Sequence, residues 1–224
     1  MDSPLRRITP FVDRLTLEER SALEARLTVL TLEDGVDALS AGDPSGAVFF
    51  VLDGLAQVIS YALDGRLVIH RELGPGEMFG ELAALDGAPR SASVTARGRC
   101  RLGALSPADF RRMRREQPGF AEALTLHLVA MIRASTERLF EHGALDMRRR
   151  LLCELRRRAL AASPGDAARL SPPPRHADLA ASIGTHREAV TKALSEFGRR
   201  GLVVRARGAL EVPSIEALEA EIGL

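Results

Sequence analysis

The sequence predicts an α+β protein: an N-terminal antiparallel β-roll of the jelly-roll kind, a long helix, and a C-terminal winged helix-turn-helix. Three observations carry this prediction. Turn signals interrupt Val29 to Leu105 at roughly eight- to twelve-residue spacing, a long amphipathic stretch runs from Gly119 to Gly143, and two short helical patterns meet at Gly184-Thr185 ahead of an arginine-rich hairpin. The corresponding domain limits are residues 1–117, 118–145 and 146–224.

The roll comes first. Asp34-Gly35, Gly42-Asp43-Pro44, Asp53-Gly54, Asp64-Gly65, Gly74-Pro75-Gly76 and Asp86-Gly87 separate short apolar runs such as Val48-Phe49-Phe50-Val51-Leu52. Many short strands at that spacing read as an antiparallel barrel or sandwich. Asp64-Gly65, between Gln57–Tyr61 and Arg66–His70, is a hairpin turn.

Ser106-Pro107-Ala108-Asp109 then opens a helical region with a capping signal. In the stretch that follows, Leu124, Leu128, Met131, Ser135, Arg138 and His142 alternate steps of four and three, the spacing of a coiled-coil seam. Phe120, Ile132, Leu139 and Leu145 supply a second face, expected to lie on the chain's own roll while the seam meets a second subunit. Asp146 starts another helix with Leu151, Leu152, Leu155 and Leu160 inward; the arginine runs 148–150 and 156–158 read as solvated faces. Ala161 to Arg175, rich in proline, reads as a loop or strand connection.

Around Gly184, Leu179, Ala180 and Ile183 form the inner face of one short helix, and Val190 and Leu194 that of the next. A small residue at Ala180 lets two helices approach, and the glycine permits the sharp turn between them. Thr185, His186, Arg187, Glu188, Thr191 and Lys192 lie on the outer face near the start of the second helix, where a recognition helix meets base edges in the major groove. The wing is Gly201–Val204, a turn over Arg205-Ala206-Arg207-Gly208, then Ala209–Val212; Arg205 and Arg207 suit the phosphate backbone.

Charge supports that division. Net charge is +1, but residues 146–224 hold 14 basic and 10 acidic side chains (+4), against 17 and 20 (−3) before them. The basic excess sits where a polyanion would bind.

Phe79 to Val94 has different chemistry. Gly80 allows close backbone approach, the amides of Glu81, Leu82 and Ala83 open a helical turn, and Arg90 with Ser91 supplies donors to the same anion. Glu81 repels a phosphate and needs a hydroxyl donor from the same ligand. A ribose 3′,5′-cyclic phosphate satisfies both, with one negative charge and a free 2′-OH.

Other functions find little footing. The longest uninterrupted apolar run, Ala47 to Leu52, falls far short of the roughly 20 residues a membrane span needs, and Met1–Arg7 has no signal-peptide apolar region, so a cytoplasmic protein is expected. Cys100 and Cys153 are far apart and read as small hydrophobes; five scattered histidines predict no metal site. No nucleophile–base pair or paired acids emerge, so an enzyme is not expected.

Phe79-Gly80-Glu81-Leu82-Ala83 through Pro89-Arg90-Ser91-Ala92 resembles the phosphate-binding cassette of cyclic-nucleotide-binding domains, and the likeness to Crp/Fnr transcription regulators extends over nearly the whole chain. It implies a homodimer that binds palindromic double-stranded DNA, cAMP as allosteric ligand, and RNA polymerase as a partner. It also places Ser135 and Thr136 on the ligand base, in the reverse of the family's Thr-Ser order. Arg187 to Lys192 resembles the family's Arg-Glu-x-x-x-Arg recognition sequence with lysine last, a point charge without the planar fork. The Fnr-type cysteine cluster is missing. Alternatives are cGMP, another effector or no ligand on the same architecture, and a cyclic-nucleotide-binding module controlling a partner enzyme.

Overall fold

The computed structural model describes residues 11–223. The start of the chain, read above for its lack of an apolar leader, lies outside the described residues. The chain divides into two compact units at Ile132/Arg133, inside its longest helix.

The first unit opens with a 3-10 turn (Phe11–Arg14) and α1 (Leu17–Glu24). Thr16 and Glu19 form a reciprocal capping box on α1, and Glu19 also accepts from the Gly119 and Phe120 amides further along the chain. The strands follow: β1 (Thr28–Leu32), β2 (Asp37–Leu39), β3 (Val48–Tyr61), β4 (Leu67–Leu73) and β5 (Met78–Phe79). After the short α2 (Glu81–Asp86) come β6 (Ser93–Leu105), α3 (Pro107–Glu116) and α4 (Pro118–Ala144). The antiparallel sheet runs β1-β6-β3-β4, with β2 added on β6 and β5 on β3. The expected β3–β4 hairpin forms, with Tyr61 opposite Leu67.

β3 is apolar on both faces because both are covered. Val48 and Phe50 pack with Phe11, Phe110 and Phe120 under the helices, whereas Phe49 and Val51 join Leu73, Phe79 and Leu102 inside the roll. Gly54, at φ 82, sits where β3 slips register against β6; a Cβ there would run into the Arg99 carbonyl.

α4 turns out differently from the expected seam. Leu124 and Leu128, assigned to a partner subunit, pack on the chain's own roll, together with Phe120 and Ala123. Ile132 and Leu139, assigned inward, are 66% and 75% exposed, and Phe140 is 64% exposed. The outward stripe is therefore Leu126, Val129, Ile132, Leu139 and Phe140. Alternating steps of three and four occur on both faces of a helix this apolar, so spacing alone does not choose between them. The buried side also accepts a polar residue: His127 is buried against Phe11. Burial, with Arg71 and Arg14 nearby, pushes its pKa down to about 4 and keeps it neutral.

The second unit holds the end of α4, α5 (Met147–Ala162), β7 (Ala168–Leu170), α6 (His176–Ile183), α7 (Arg187–Arg199), β8 (Val204–Ala206), β9 (Ala209–Val212) and α8 (Ile215–Ile222). Asp146 caps α5 by accepting from the Arg149 amide at 2.9 Å. Leu151, Leu152, Leu155, Leu179, Val190, Leu194, Phe197 and Leu218 share one core. The sheet order is β7-β9-β8, so the proline-rich connection contributes a third strand on the β9 edge of the hairpin. Arg205 lies in β8 rather than in the turn, which tightens to Arg207-Gly208.

Arg156–Arg158 are not a solvated face. Arg156 is 1% exposed and pairs with Glu219 of α8. Arg157 holds Glu141 of α4 at 2.5 and 3.0 Å and also Glu154, which takes Arg158 at 2.9 Å and Arg138 at 3.6 Å. Burial alone would raise the Glu154 pKa; Arg158, Arg157 and Arg138 overcome it and bring it to about 2.

Candidate functional site

The cassette is assembled by β5, α2 and the approach to β6. Gly80 caps α2 in the left-handed region at φ 84, a conformation that favours glycine. Arg90 is 4% exposed and donates once from each nitrogen: Nη1 to the Gly80 carbonyl at 2.7 Å, Nη2 to the Ala47 carbonyl at 2.6 Å, and Nε to Ser45 Oγ at 3.2 Å. Its backbone is pinned as well, donating to the Asp43 carbonyl at 3.0 Å and accepting from the Gly42 amide at 2.9 Å. The protein itself thus holds the guanidinium in place, which lowers the ordering cost of binding.

Glu81 is 3% exposed. Burial raises its pKa, while its own amide and the charges of Arg71 and Arg90 pull it back. Arg90 is lowered by burial and supported by Glu81 and Asp43. One buried cation and one buried anion therefore stabilise each other. Leu82 and Ser91 are exposed beside them and Ala83 is buried. Ser135 and Thr136 are exposed on α4 and belong to the other unit.

Sequence reasoning missed Arg71, Ser45 and Ala47. Arg71 lies within reach of Glu81, is 3.7 Å from Glu77, and donates to the Met78 carbonyl at 3.4 Å. Ser45 and Ala47 reach Arg90 from a loop 45 and 43 positions earlier, and Arg71, though near in sequence, sits in β4 with nothing local to mark it.

In the second unit, α6 ends at Gly184, whose φ of 66 allows the turn, and the Thr185 amide closes it on the Ala180 carbonyl at 3.0 Å. α7 follows with its core side formed by Val190, Ala193, Leu194 and Phe197. His186, Arg187, Glu188 and Lys192 are exposed on its outer face, and Thr185 is half-buried. Thr191 is already committed: its hydroxyl lies 3.0 Å from the Arg187 carbonyl and 2.7 Å from His176 Nδ1. Arg205 and Arg207 are exposed on the wing. Arg169, which the sequence did not single out, braces the wing by pairing with Glu211 and donating to the Arg207 carbonyl at 3.1 Å.

The cyclic nucleotide-binding domain family matches residues 30–117, and the Crp-like helix-turn-helix domain matches residues 149–221. A cyclic AMP receptor protein of Thermus thermophilus is 32% identical over 181 residues, 80% of each chain. The chain belongs to the Crp/Fnr family. It is a transcription regulator with a cyclic-nucleotide-binding domain and a DNA-binding helix-turn-helix. A second Crp/Fnr relative, a CRP-like cAMP-activated global transcriptional regulator of Mycobacterium tuberculosis, is 26% identical over 82% of this chain and 83% of that one. The fold also matches the c-di-GMP responsive global regulator of Xanthomonas campestris, with a TM-score of 0.74 at 19% identity over 89% and 100% of the two chains. No helix among the described residues is long and apolar enough to cross a membrane.

Proposed function

We propose that this Crp/Fnr chain is a homodimeric, cAMP-responsive regulator of the cytoplasm that reads a palindromic operator in double-stranded DNA and meets RNA polymerase there. The observation that carries the effector reading is the buried Arg90–Glu81 pair around Gly80. Arg90, Ser91 and the amides of Glu81, Leu82 and Ala83 hold the single phosphate charge, and Glu81 accepts from the ribose 2′-OH. Ser135 and Thr136 face the base. Division into residues 1–117, 118–145 and 146–224 gives sensing, pairing and DNA reading their own segments. The regulators named for cAMP among the relatives support the choice of nucleotide.

On DNA, Arg187 donates a bidentate pair to guanine, Glu188 accepts from cytosine N4, and Thr185, His186, Thr191 and Lys192 complete the face, with Arg205 and Arg207 on phosphates. Ligand binding shifts the dimer toward the state whose recognition helices lie about one DNA turn apart.

Calorimetry tests the pocket. Arg90→Ala should weaken cAMP binding by about a hundredfold, the loss of charge-assisted bonds to a phosphate; unchanged affinity removes the assignment. One alternative has a specific observation behind it: Ser135-Thr136 reverses the pair that the family resemblance places on adenine, so cGMP and c-di-GMP belong in the same titration. A gel shift with each nucleotide, and with none, then identifies the effector that drives DNA binding.

A further inference from the structure

From residue 163 onward the arginines sort into two sets. Arg169 pairs with Glu211 and Arg200 with Glu221. Arg175, Arg187, Arg199, Arg205 and Arg207 have no carboxylate partner among the described residues, and all five are exposed. Four of them, Arg207 excepted, line one groove of about 940 Å³ between the start of α6, the flank of α7 and the wing, and no acidic residue lines it. Converging like charges repel. A folded chain tolerates the arrangement when a polyanion supplies the missing charge.

His176 lines the same groove and is held in one orientation. The Thr191 hydroxyl donates its proton to the Arg187 carbonyl at 3.0 Å, so at 2.7 Å it accepts from His176 Nδ1–H. That leaves Nε2 as the ring's remaining polar position. We propose that the groove is a phosphate clamp in which Arg175, His176 and Arg199 hold the DNA backbone beside the base-reading face of α7, with Thr191 also acting as a strut for the imidazole. The proposal rests on the DNA-reading function above and adds residues to it.

A clamp of this kind takes up a proton. The groups facing His176 are Arg187 and Thr191 from α7, Arg205 from β8, and Arg175 with Asp178 at its own end of α6. In the free protein, burial together with Arg205 and Arg187 lowers the imidazole pKa, and a bound phosphate raises it again. The complex therefore binds more protons than the free chain, and DNA affinity rises as pH falls.

The test uses the full chain with saturating cAMP and a mixed-sequence duplex of about 30 base pairs, long enough for two half-sites, titrated with salt by fluorescence anisotropy. Arg175→Ala and Arg199→Ala should each lower the slope of log affinity against log salt by about one and weaken binding equally on all sequences. His176→Gln, and Thr191→Val in part, should flatten the rise in affinity between about pH 8 and pH 6. Circular dichroism checks that the exposed arginine variants fold. Wild-type slopes in both arginine variants overturn the clamp while leaving DNA reading intact. A wild-type chain without salt-dependent duplex binding overturns both.

Discussion

At Gly80 a single missing methyl group sets the geometry of the cassette. A Cβ there would stand 2.9 Å from Arg90 Nη1 and 3.0 Å from the Ala47 carbonyl, on a backbone already in the left-handed region. Gly80→Ala should therefore cost about 1–2 kcal/mol in stability and push the guanidinium off its two carbonyls. Calorimetry should read cAMP affinity down by about tenfold; full affinity in a folded variant would separate the position of Arg90 from binding. Gly80, Glu81 and Arg90 were legible in the sequence because their chemistry is compact: a flexible residue, an acid and a fork within eleven positions. Arg71, Ser45 and Ala47 were not, because only folding brings β3, β4 and the 40s loop to the same place. Thr191 was legible as an outer-face residue of α7, but its bond to His176 depends on how α6 docks.

Among the elements, α5 departs furthest from its sequence reading. Three consecutive arginines on a helix ordinarily face water. Here carboxylates arrive from elsewhere, Glu141 from α4 and Glu219 from α8, and together with Glu154 they let Arg156 and Arg157 sit against the core. No local pattern announces a partner 16 or 63 residues away. Glu154 is the centre of this network, so Glu154→Gln should destabilise the chain by about 3 kcal/mol through the uncompensated buried charge left behind, measured by urea denaturation near neutral pH. The sign of the acid response follows from its depressed pKa. Its contribution is complete above the ordinary value of 4.5 and is lost as pH falls through about 2, so the glutamine variant should lack that acid-dependent loss. Equal acid profiles for the two proteins would remove Glu154 from this role.

For the whole molecule, the order of roll, long helix and winged domain was legible because each has its own period and punctuation. The register of α4 was not: two faces satisfied the same spacing, and only packing shows which is covered. The uncovered one carries Leu126, Val129 and Ile132 in the first unit and Leu139 and Phe140 in the second, exposed large apolar side chains of the kind that mark a protein interface. In the proposed homodimer, Ile132→Glu combined with Leu139→Glu should yield monomers in sedimentation velocity and lose most operator affinity, whereas a stable dimer would move the interface elsewhere. Lys192 has a practical consequence. It is the sole lysine among the 31 basic residues, and it stands exposed on the outer face of α7. Apart from the α-amino group, the chain offers amine-directed chemistry a single address, so one acyl or fluorescent label placed there would report occupancy of the recognition helix and nothing else.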